Sequence, residues 1–401
     1  MNIVEINTVC GIGSTGRIVA QISEILNDSG DSCVVAYGRE KSDTSDAVKI
    51  GNKIGTLVHV VASRIFDAQG RFSQFSTYRF INFLKSFKPD VVHLHNIHGY
   101  YLNYSMIFDY FRKENIPVIW TLHDCWPFTG HCAYYDYIRC EKWKLECNKC
   151  QLKKSYPSSF VFDRSKANYN KKKNCYSTGL DLTIVTPSYW LATQVKESFL
   201  KEYPIEVIHN GIDLSKFYPR DARNIRKKYR LGPQKVLLGV ASGFDERKGL
   251  SDYVKLSSII PSDSQIVLVG CEPITIPDGA RLTCIKETDS IDELAEFYSL
   301  ADVLINLTYE DNFPTVNLES LACGTPIITY NTGGSPEAID DKCGIVVEKG
   351  DLDGVVDAIT TVLSNPFSEA DCISRSKKFD KNVNFQKYVN LIHSKNKESR
   401  A

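Results

Sequence analysis

The stretch "DVLINLTYEDNFPTVNLESLACGTPIITYN", from Asp302 to Asn331, decides the fold class of this chain. Two apolar runs, "DVLINLT" and "PIITYN", flank a segment that predicts a helix. Near-continuous apolar runs are typical of parallel strands that are covered on both faces. Alternation of such strands with helices is the sequence signature of an α/β protein. The stretch therefore predicts one strand–helix–strand unit of a parallel sheet.

The same alternation runs through both halves of the 401-residue chain. Strand-like runs in the first half are "NIVEINTV", "SCVVAYG", "DVVHLH", "PVIWTLHD" and "TIVTPS", and those in the second half are "KVLLGVAS", "QIVLVG", "DVLINLT", "PIITYN" and "GIVVE". Two open sheets in series predict two Rossmann-like lobes with a ligand-binding cleft between them. We place the N-terminal lobe at 1–205, with a Cys-rich insertion at about 130–173, and the C-terminal lobe at 206–378. A final helix, at 379–401, is expected to pack back on the first lobe.

Composition argues against several classes of function. The 48 basic residues balance the 48 acidic ones, so no net field recruits nucleic acid. No apolar run reaches the roughly 18 residues of a membrane-spanning helix, and the first strand-like run follows Met1 without the regions of a secretion signal. We therefore expect a cytosolic protein, whose 13 cysteines are thiols or metal ligands rather than disulfides.

Two loops have features of phosphate-binding sites. Gly11, Gly13 and Gly16 lie between the first strand and the first helix, where backbone N–H groups favour a diphosphate. A tight turn without a ligand explains these glycines equally well. Arg247 and Lys248 lie in "SGFDERKGL", after the first strand of the second lobe. Cations there neutralise phosphate oxygens, and a solvated loop is the alternative.

Two acids of the opening stretch suit the binding of hydroxyl groups, because an ionised carboxylate only accepts hydrogen bonds. Asp311 precedes the helix, and acids are common at helix N-termini because the helix dipole stabilises them there, which would also explain Asp311. Glu319 lies about two turns inside an otherwise apolar helix. A charged side chain there needs a partner, so the capping explanation does not cover Glu319.

Taken together, these motifs resemble family four of the retaining glycosyltransferases, which have the GT-B fold. The resemblance covers essentially the whole chain and rests on the N-terminal glycine loop, "TLHD", "IHNGID", "ERKG" and "EDNFPTVNLESLACGTPIIT". The segments "STGR", "HLHNIHGYYLN" and "HDCWPFTGHCAY" are similar to those of bacterial transferases of capsule, O-antigen and colanic-acid assembly. The resemblance implies two Rossmann-like lobes and transfer from a nucleotide-sugar.

The resemblance also implies a role for each matching position. Glu319 would bind the nucleotide ribose, Asp311 the hydroxyls of the donor sugar, and Lys248 the phosphates. Gly16 would lie beside the phosphates, and His123, at the end of "IWTLHD", would contact the transferred sugar. One segment would turn its backbone towards the sugar and the diphosphate: Phe313, Pro314, Thr315 and Val316.

Three positions depart from the family pattern. Asp311, with Glu310 adjacent, stands where Glu is usual. Pro314 replaces Gly and so lacks an N–H group, and Gly243 stands in place of Arg. We expect Arg247 to supply the missing charge and to help stabilise the leaving diphosphate. No D-x-D metal motif stands out, so catalysis is expected to need no metal and no cofactor.

Two segments of the first lobe suit an acceptor. The segment "HLHNIHGYYLN" offers four candidate acceptor-binding residues: His95, Asn96, His98 and Tyr100. The stretch Lys53–Lys88 is basic and rich in aromatic residues, with Asp67 as its one acid. Such a stretch suits an anionic membrane or a lipid-diphosphate acceptor. A helix that packs on the sheet and solvates its basic face explains it equally well.

The insertion contains four cysteines that suit a structural zinc site: Cys132, Cys140, Cys147 and Cys150. The last two form a C-x-x-C pair, and four thiolates would close the coordination shell of the metal. Reduced, buried thiols are the alternative.

We therefore predict a retaining, metal-independent glycosyltransferase of the hexosyltransferase type. The expected donor is a UDP-sugar. The expected acceptor is a saccharide on a lipid carrier at the inner face of the cell membrane, in the synthesis of a surface polysaccharide. One alternative is a nucleotide-sugar epimerase of the same fold, which needs no acceptor. Another, motivated by the three departures, is a sugar-nucleotide binding subunit that has lost catalysis.

Overall fold

The structure of the protein is a computed structural model that describes residues 1–40, 42 and 46–400. Ala401, the last residue of the predicted C-terminal helix, lies outside the described residues. The chain divides into two compact units. Unit 1 comprises Met1–His209 with Asn384–Ala401, and unit 2 comprises Asn210–Val383.

Unit 1 is built on a seven-stranded parallel sheet of order β3-β2-β1-β4-β5-β6-β7. Its strands are β1 (Asn2–Asn7), β2 (Ser32–Tyr37), β3 (Ala47–Lys49), β4 (Val91–Leu94), β5 (Val118–Thr121), β6 (Leu182–Thr186) and β7 (Ile205–Val207). Its helices before residue 209 are α1 (Gly13–Asp28), α2 (Lys53–Phe66), α3 (Gln74–Phe87), α4 (Tyr104–Lys113), α5 (Ser165–Tyr176) and α6 (Tyr189–Glu197).

Unit 2 repeats this architecture with a six-stranded parallel sheet of order β10-β9-β8-β11-β12-β13. Its strands are β8 (Lys235–Val240), β9 (Ser264–Val269), β10 (Leu282–Ile285), β11 (Val303–Asn306), β12 (Ile327–Tyr330) and β13 (Gly344–Val347). Its helices are α7 (Arg223–Lys228), α8 (Leu250–Ile259), α9 (Ile291–Leu300), α10 (Thr315–Ala322), α11 (Leu352–Ser364) and α12 (Glu369–Ser376). The predicted α/β class with two parallel sheets is confirmed.

The C-terminal helix α13 (Lys381–Arg400) returns the chain to unit 1. Phe385, Val389 and Ile392 pack in one buried cluster with Ile3 and Val185 of the sheet. The neighbouring residue Val4 points into a different cluster, because successive side chains of a strand face opposite sides. Both faces of this sheet are therefore covered, which explains why most residues of its central strands are apolar.

The predicted limits of the lobes differ from those of the structural units. The predicted boundary after residue 205 falls inside β7, whereas the two units meet after His209. The predicted final segment, 379–401, begins before the chain returns to unit 1 at Asn384. Within the described part of the chain, every helix is too short or too polar to cross a bilayer.

Candidate functional site

An ion pair joins two of the predicted donor-site residues at the carboxyl edge of the unit 2 sheet. Lys248 ends a single helical turn after β8, and Asp311 follows β11. Nζ of Lys248 donates a 2.6 Å hydrogen bond to Oδ2 of Asp311. Gly249 makes this approach feasible: it has a φ of +75°, and a Cβ on it would lie 2.2 Å from the Leu307 carbonyl oxygen. Both charged side chains keep about a fifth of their surface exposed (18% and 22%). A ligand can therefore reach the pair.

Asp311, and not the adjacent Glu310, presents its carboxylate at this edge. Glu310 is fully buried, while its carbonyl oxygen accepts a 3.1 Å hydrogen bond from Nη1 of Arg247. The Asp311 carbonyl in turn accepts from the N–H of Gly334, and a Cβ on Gly333 would lie 1.8 Å from the Asp311 oxygen. The glycine pair after β12 thus packs against the Asp311 loop.

Glu319 has the partner that a buried charge requires. It lies in the second turn of α10, is only 8% exposed, and its Oε2 accepts a 2.7 Å hydrogen bond from the Tyr298 hydroxyl. Burial, together with the Glu319 charge, raises the pKa of Tyr298 well above its ordinary value. Tyr298 therefore keeps its proton and holds the carboxylate in place. Sequence reasoning missed Tyr298, because its pattern on α9 is that of an ordinary core residue.

The segment before α10 is anchored from two sides. Phe313 is buried against Phe379, with ring centroids 5.7 Å apart. Its carbonyl oxygen accepts a 3.1 Å hydrogen bond from Nδ2 of Asn210, in the "IHNGID" motif. Pro314 is the N-cap residue, and Thr315 and Val316 open the helix. The first N–H groups of a helix have no partner within it, so those of Thr315 and Val316 can serve a ligand.

A cavity of about 540 Å³ lies beyond the carboxyl ends of β8 and β9. Its lining includes Ser242, Gly243, Gly270, Glu272 and Lys286. A Cβ on Gly243, which the resemblance places at the position of an Arg, would meet nothing within 4 Å. The missing side chain therefore leaves open space in the same loop that carries Lys248.

In unit 1, Gly16 lies in the first turn of α1 and packs closely against the preceding loop. Its carbonyl accepts from the Gly11 N–H over 2.9 Å, and a Cβ on Gly16 would lie 3.0 Å from Cγ2 of Val9. Gly13 has a φ of +66°. The loop therefore requires these glycines for its own conformation, and contact of Gly16 with a phosphate stays a prediction.

His123 follows β5 and is half-buried. Its Nε2 lies 2.9 Å from Nδ1 of His95, and Nε2 of His95 lies 2.8 Å from Oε2 of Glu5. Burial lowers the pKa of His123 well below its ordinary value, and the neighbouring histidines lower it further. The ring is therefore a neutral imidazole. This arrangement suits hydrogen bonding better than general acid catalysis.

The predicted acceptor residues lie mostly inside unit 1. His95 is buried and bonded to Glu5. His98 is buried between Asp124 and Tyr156, at 2.7 and 2.9 Å. Tyr100 is buried, and Asn96 is half-buried. The side chains of His95 and His98 fix the loop after β4, and contact of the four residues with an acceptor stays a prediction.

Comparison with known proteins identifies the class. The model described as "Glycosyltransferase Family 4" matches residues 15–216, and "Glycosyl transferases group 1" matches residues 221–379. The chain therefore belongs to the family four glycosyltransferases, as the motifs predict.

One relative and two solved structures agree with this class. A protein described as a colanic acid biosynthesis glycosyl transferase, WcaC of Escherichia coli K12, is 24% identical over 88% of both chains. The sucrose-phosphate synthase of Thermosynechococcus elongatus superposes with a TM-score of 0.70 at 18% identity, over 98% of both chains. Anabaena HepE, solved with UDP-glucose, superposes with a TM-score of 0.65 at 13% identity, over 98% of this chain and 99% of its own. The two structures support the fold, which is that of GT-B enzymes.

Proposed function

We propose that this glycosyltransferase is a retaining, metal-independent hexosyltransferase that uses a UDP-sugar. Its acceptor is a saccharide on a lipid carrier at the cytoplasmic membrane face, in the assembly of a surface polysaccharide such as capsule or O-antigen. The observation that carries the donor assignment is the exposed Lys248–Asp311 pair in front of α10. The relative named for colanic acid biosynthesis supports the pathway, and the neighbour solved with UDP-glucose supports the nucleotide.

Binding of the donor would replace the contact between Lys248 and Asp311 with contacts from each of them to the donor. Lys248 and Asp311 neutralise each other in the structure. When a diphosphate enters, its oxygens would attract Lys248, and the Asp311 carboxylate would become available to the hydroxyls of the sugar. Glu319, held by Tyr298, would accept from the ribose. The nucleoside base would lie in the cavity that Gly243 leaves open.

The transfer step places negative charge on the leaving diphosphate. The bond between the anomeric carbon and the diphosphate oxygen breaks, and the acceptor oxygen bonds to that carbon from the same face. The acceptor proton passes to a diphosphate oxygen. Lys248, Arg247 and the N–H groups at the start of α10 would stabilise the leaving group as its charge develops. The cationic side chains at this edge would thus stabilise the leaving diphosphate as a metal ion does in other transferases.

Replacement of Lys248 tests the donor assignment. Lys248→Met keeps the length of the side chain and removes its charge, so we expect release of UDP from UDP-sugars to fall roughly a hundredfold or more. The assay supplies lipid-linked saccharides extracted from bacterial membranes as acceptors. Lys255→Met, at an exposed lysine of α8, is the matched control. Equal activity of the two variants would refute the assignment.

The surface of α2 supports an acceptor held in a membrane. Large apolar side chains of α2 face outward at helical spacing, and we call them the α2 surface: Ile54, Leu57, Val58, Val61, Ile65 and Phe66. The segment Phe160–Phe162 of the Cys-rich insertion extends it. The N–H groups of Phe160 and Phe162 donate to the carbonyls of Arg64 and Ile65, and all three residues of the segment are exposed.

A bilayer of anionic lipid fits the α2 surface. Contiguous apolar side chains exposed to water mark an interaction site, and the same helix exposes the cationic side chains of Lys53 and Arg64. α2 buries His59 and Ser63 and exposes aliphatic residues, which supports a membrane contact over a packed helix with a solvated basic face. The packed helix does describe α3, which buries Phe80 and Leu84.

We also propose a structural zinc ion in the insertion. The thiols of Cys132 and Cys150 form a hydrogen bond with each other, and Sγ of Cys147 accepts the Gly130 N–H over 3.2 Å. Cys140 packs against the hydrophobic core of unit 1, which includes Cys132 and Cys147. Thiolates that accept backbone N–H groups suit zinc, and four of them complete a structural site.

Zinc binding would require the four thiols to move closer together. Among the described residues, the only three Cys, His, Asp or Glu side chains whose potential ligand atoms all lie within 4.8 Å of one another are those of Glu5, His93 and His95. The cysteines lie in a segment whose regular structure between residues 130 and 164 is limited to two single 3-10 turns. A metal would therefore stabilise a region with little regular secondary structure of its own.

A further inference from the structure

The buried carboxylate of Glu5 is connected to His123 through hydrogen bonds with His95. Glu5 is on β1, His93 on β4, and His123 follows β5; these three strands are adjacent in the sheet. The register pairs Glu5 directly with His93. The side chains of Glu5, His93 and His95 are at most 1% exposed.

Each contact in this group is at hydrogen-bond distance. Oε1 of Glu5 lies 2.9 Å from Nδ1 of His93, and Oε2 lies 2.8 Å from Nε2 of His95. Nδ1 of His95 lies 2.9 Å from Nε2 of His123. Nε2 of His93 lies 2.8 Å from the Thr121 hydroxyl. At these distances each contact is a hydrogen bond.

The direction of the hydrogen bonds follows from the charge states. Burial alone raises the pKa of Glu5, but the charges and hydrogen bonds of His93 and His95 lower it to about 2. Glu5 is therefore ionised and only accepts. Burial lowers the pKa of His95 to about 4, so at neutral pH His95 has one ring proton. That proton lies on Nε2, where it meets Glu5.

The single proton of His95 determines that of His123. Since Nε2 of His95 donates, its Nδ1 accepts, and it accepts from Nε2–H of His123. A neutral imidazole has one proton, so Nδ1 of His123 has none.

We propose that Glu5, acting through His95, fixes the tautomer of His123 so that Nδ1 of His123 serves as the acceptor for a sugar hydroxyl. Glu5 and His95 are then positioning residues. This role rests on the proposed function, whereas the tautomer itself does not. An acceptor nitrogen favours a sugar that offers a hydroxyl and disfavours one that offers a carboxylate, which only accepts. The network would thus contribute to the choice of donor.

Glu5→Gln is the informative substitution, because an amide can both accept and donate. Its oxygen can keep the contact with Nδ1–H of His93, while its NH₂ group donates to Nε2 of His95. His95 would then have its proton on Nδ1 and donate to His123. The proton of His123 would move to Nδ1. Glu5→Asp keeps an acceptor-only group and is the conservative variant expected to restore the original tautomer.

The measurement is a two-bond ¹H–¹⁵N correlation spectrum of the full-length, unliganded protein with ¹⁵N-labelled histidine. His123→Asn assigns the His123 signals, and His393→Gln, at a histidine near the end of α13, is the control. We expect the Nε2–H tautomer in the parent and in Glu5→Asp, and the Nδ1–H tautomer in Glu5→Gln. A parent with Nδ1–H, or a Glu5→Gln variant identical to the parent, overturns the proposal.

Kinetics separate this inference from the proposed function. We expect kcat with UDP-sugar to fall about ten- to a hundredfold in Glu5→Gln, with UDP affinity unchanged, because the residues proposed to bind the nucleotide are not part of this network. If Glu5→Gln does not fold, His95→Phe keeps a buried ring, and His123 should then show a mixture of tautomers. A tautomer switch in a protein without transferase activity refutes the proposed function alone. Normal kcat in a variant with the switched tautomer refutes the positioning role alone.

Discussion

Glu319 gives the sharpest quantitative prediction about donor binding. Glu319→Ala removes the carboxylate expected to accept from the ribose, and it leaves the Tyr298 hydroxyl without the partner it has at 2.7 Å. A hydrogen bond to a charged group contributes about 1.5–3 kcal/mol. Since each 1.4 kcal/mol is a factor of ten, UDP should bind roughly 10- to 150-fold more weakly.

Tyr298 supplies a second variant with a distinct expectation. An unpartnered buried hydroxyl costs about 1–3 kcal/mol of folding free energy, so Glu319→Ala should also lower stability. Adding Tyr298→Phe removes that hydroxyl and should recover part of the stability. Donor affinity should stay at the Glu319→Ala value, because Tyr298 acts on the donor only through Glu319.

Isothermal calorimetry with UDP and with 2′,3′-dideoxy-UDP measures these effects. The parent should prefer UDP, and Glu319→Ala should bind the two ligands about equally. Asp357→Ala, at an exposed residue of α11, is the matched control. Glu319→Ala binding UDP as tightly as the parent, or keeping the full preference for ribose, would remove Glu319 from the nucleotide site.

Three further expectations concern the membrane, the thiols and acid. Leu57→Glu on the α2 surface should reduce sedimentation of the protein with phosphatidylglycerol vesicles about tenfold or more. The control Val346→Glu, at an exposed residue of unit 2, should sediment like the parent. Equal sedimentation of Leu57→Glu and the parent would exclude α2 from the membrane contact. Protein purified without added zinc should contain about one zinc per chain and lose it in Cys147→Ser, whereas a metal-free, stable parent would identify the cysteines as packing residues. Burial lowers the pKa of His59 from 6.5 to about 4, so the unfolded chain takes up the proton first and stability is lost as pH falls from about 6.5 towards 4. Urea unfolding should show this loss, and His59→Gln should lessen it; an equal loss in both proteins would assign it to other groups.

The central strands of both sheets could be predicted from sequence, but three edge strands could not. β3, β7 and β10 each lie at the edge of a sheet. They are only three or four residues long and half-exposed for much of their length. Covered strands are apolar throughout, whereas edge strands with one exposed side lose that signal. The predicted lobe boundary after residue 205 lies within one of these strands, β7.

The proximity of the candidate donor residues was predictable because they follow strands, and the carboxyl ends of parallel strands meet at one edge. Lys248 and Asp311 are 63 residues apart and in contact. The pairing of Glu5 with His93 was not predictable, because it depends on the register between β1 and β4. A charged residue inside "NIVEINTV" was the available signal. The exposure of the apolar face of α2 was not predictable either, because the pattern of an amphipathic helix does not tell which face packs against the protein.

The configuration of the product tests the central claim most directly. The protein is incubated with a panel of UDP-α-sugars and lipid-linked saccharides from bacterial membranes, and proton NMR follows UDP and the new anomeric proton. We predict that UDP forms only when acceptor is present, and that the transferred sugar keeps its α configuration. A β-linked product, or conversion of the UDP-sugar without acceptor and without release of UDP, would contradict retaining transfer.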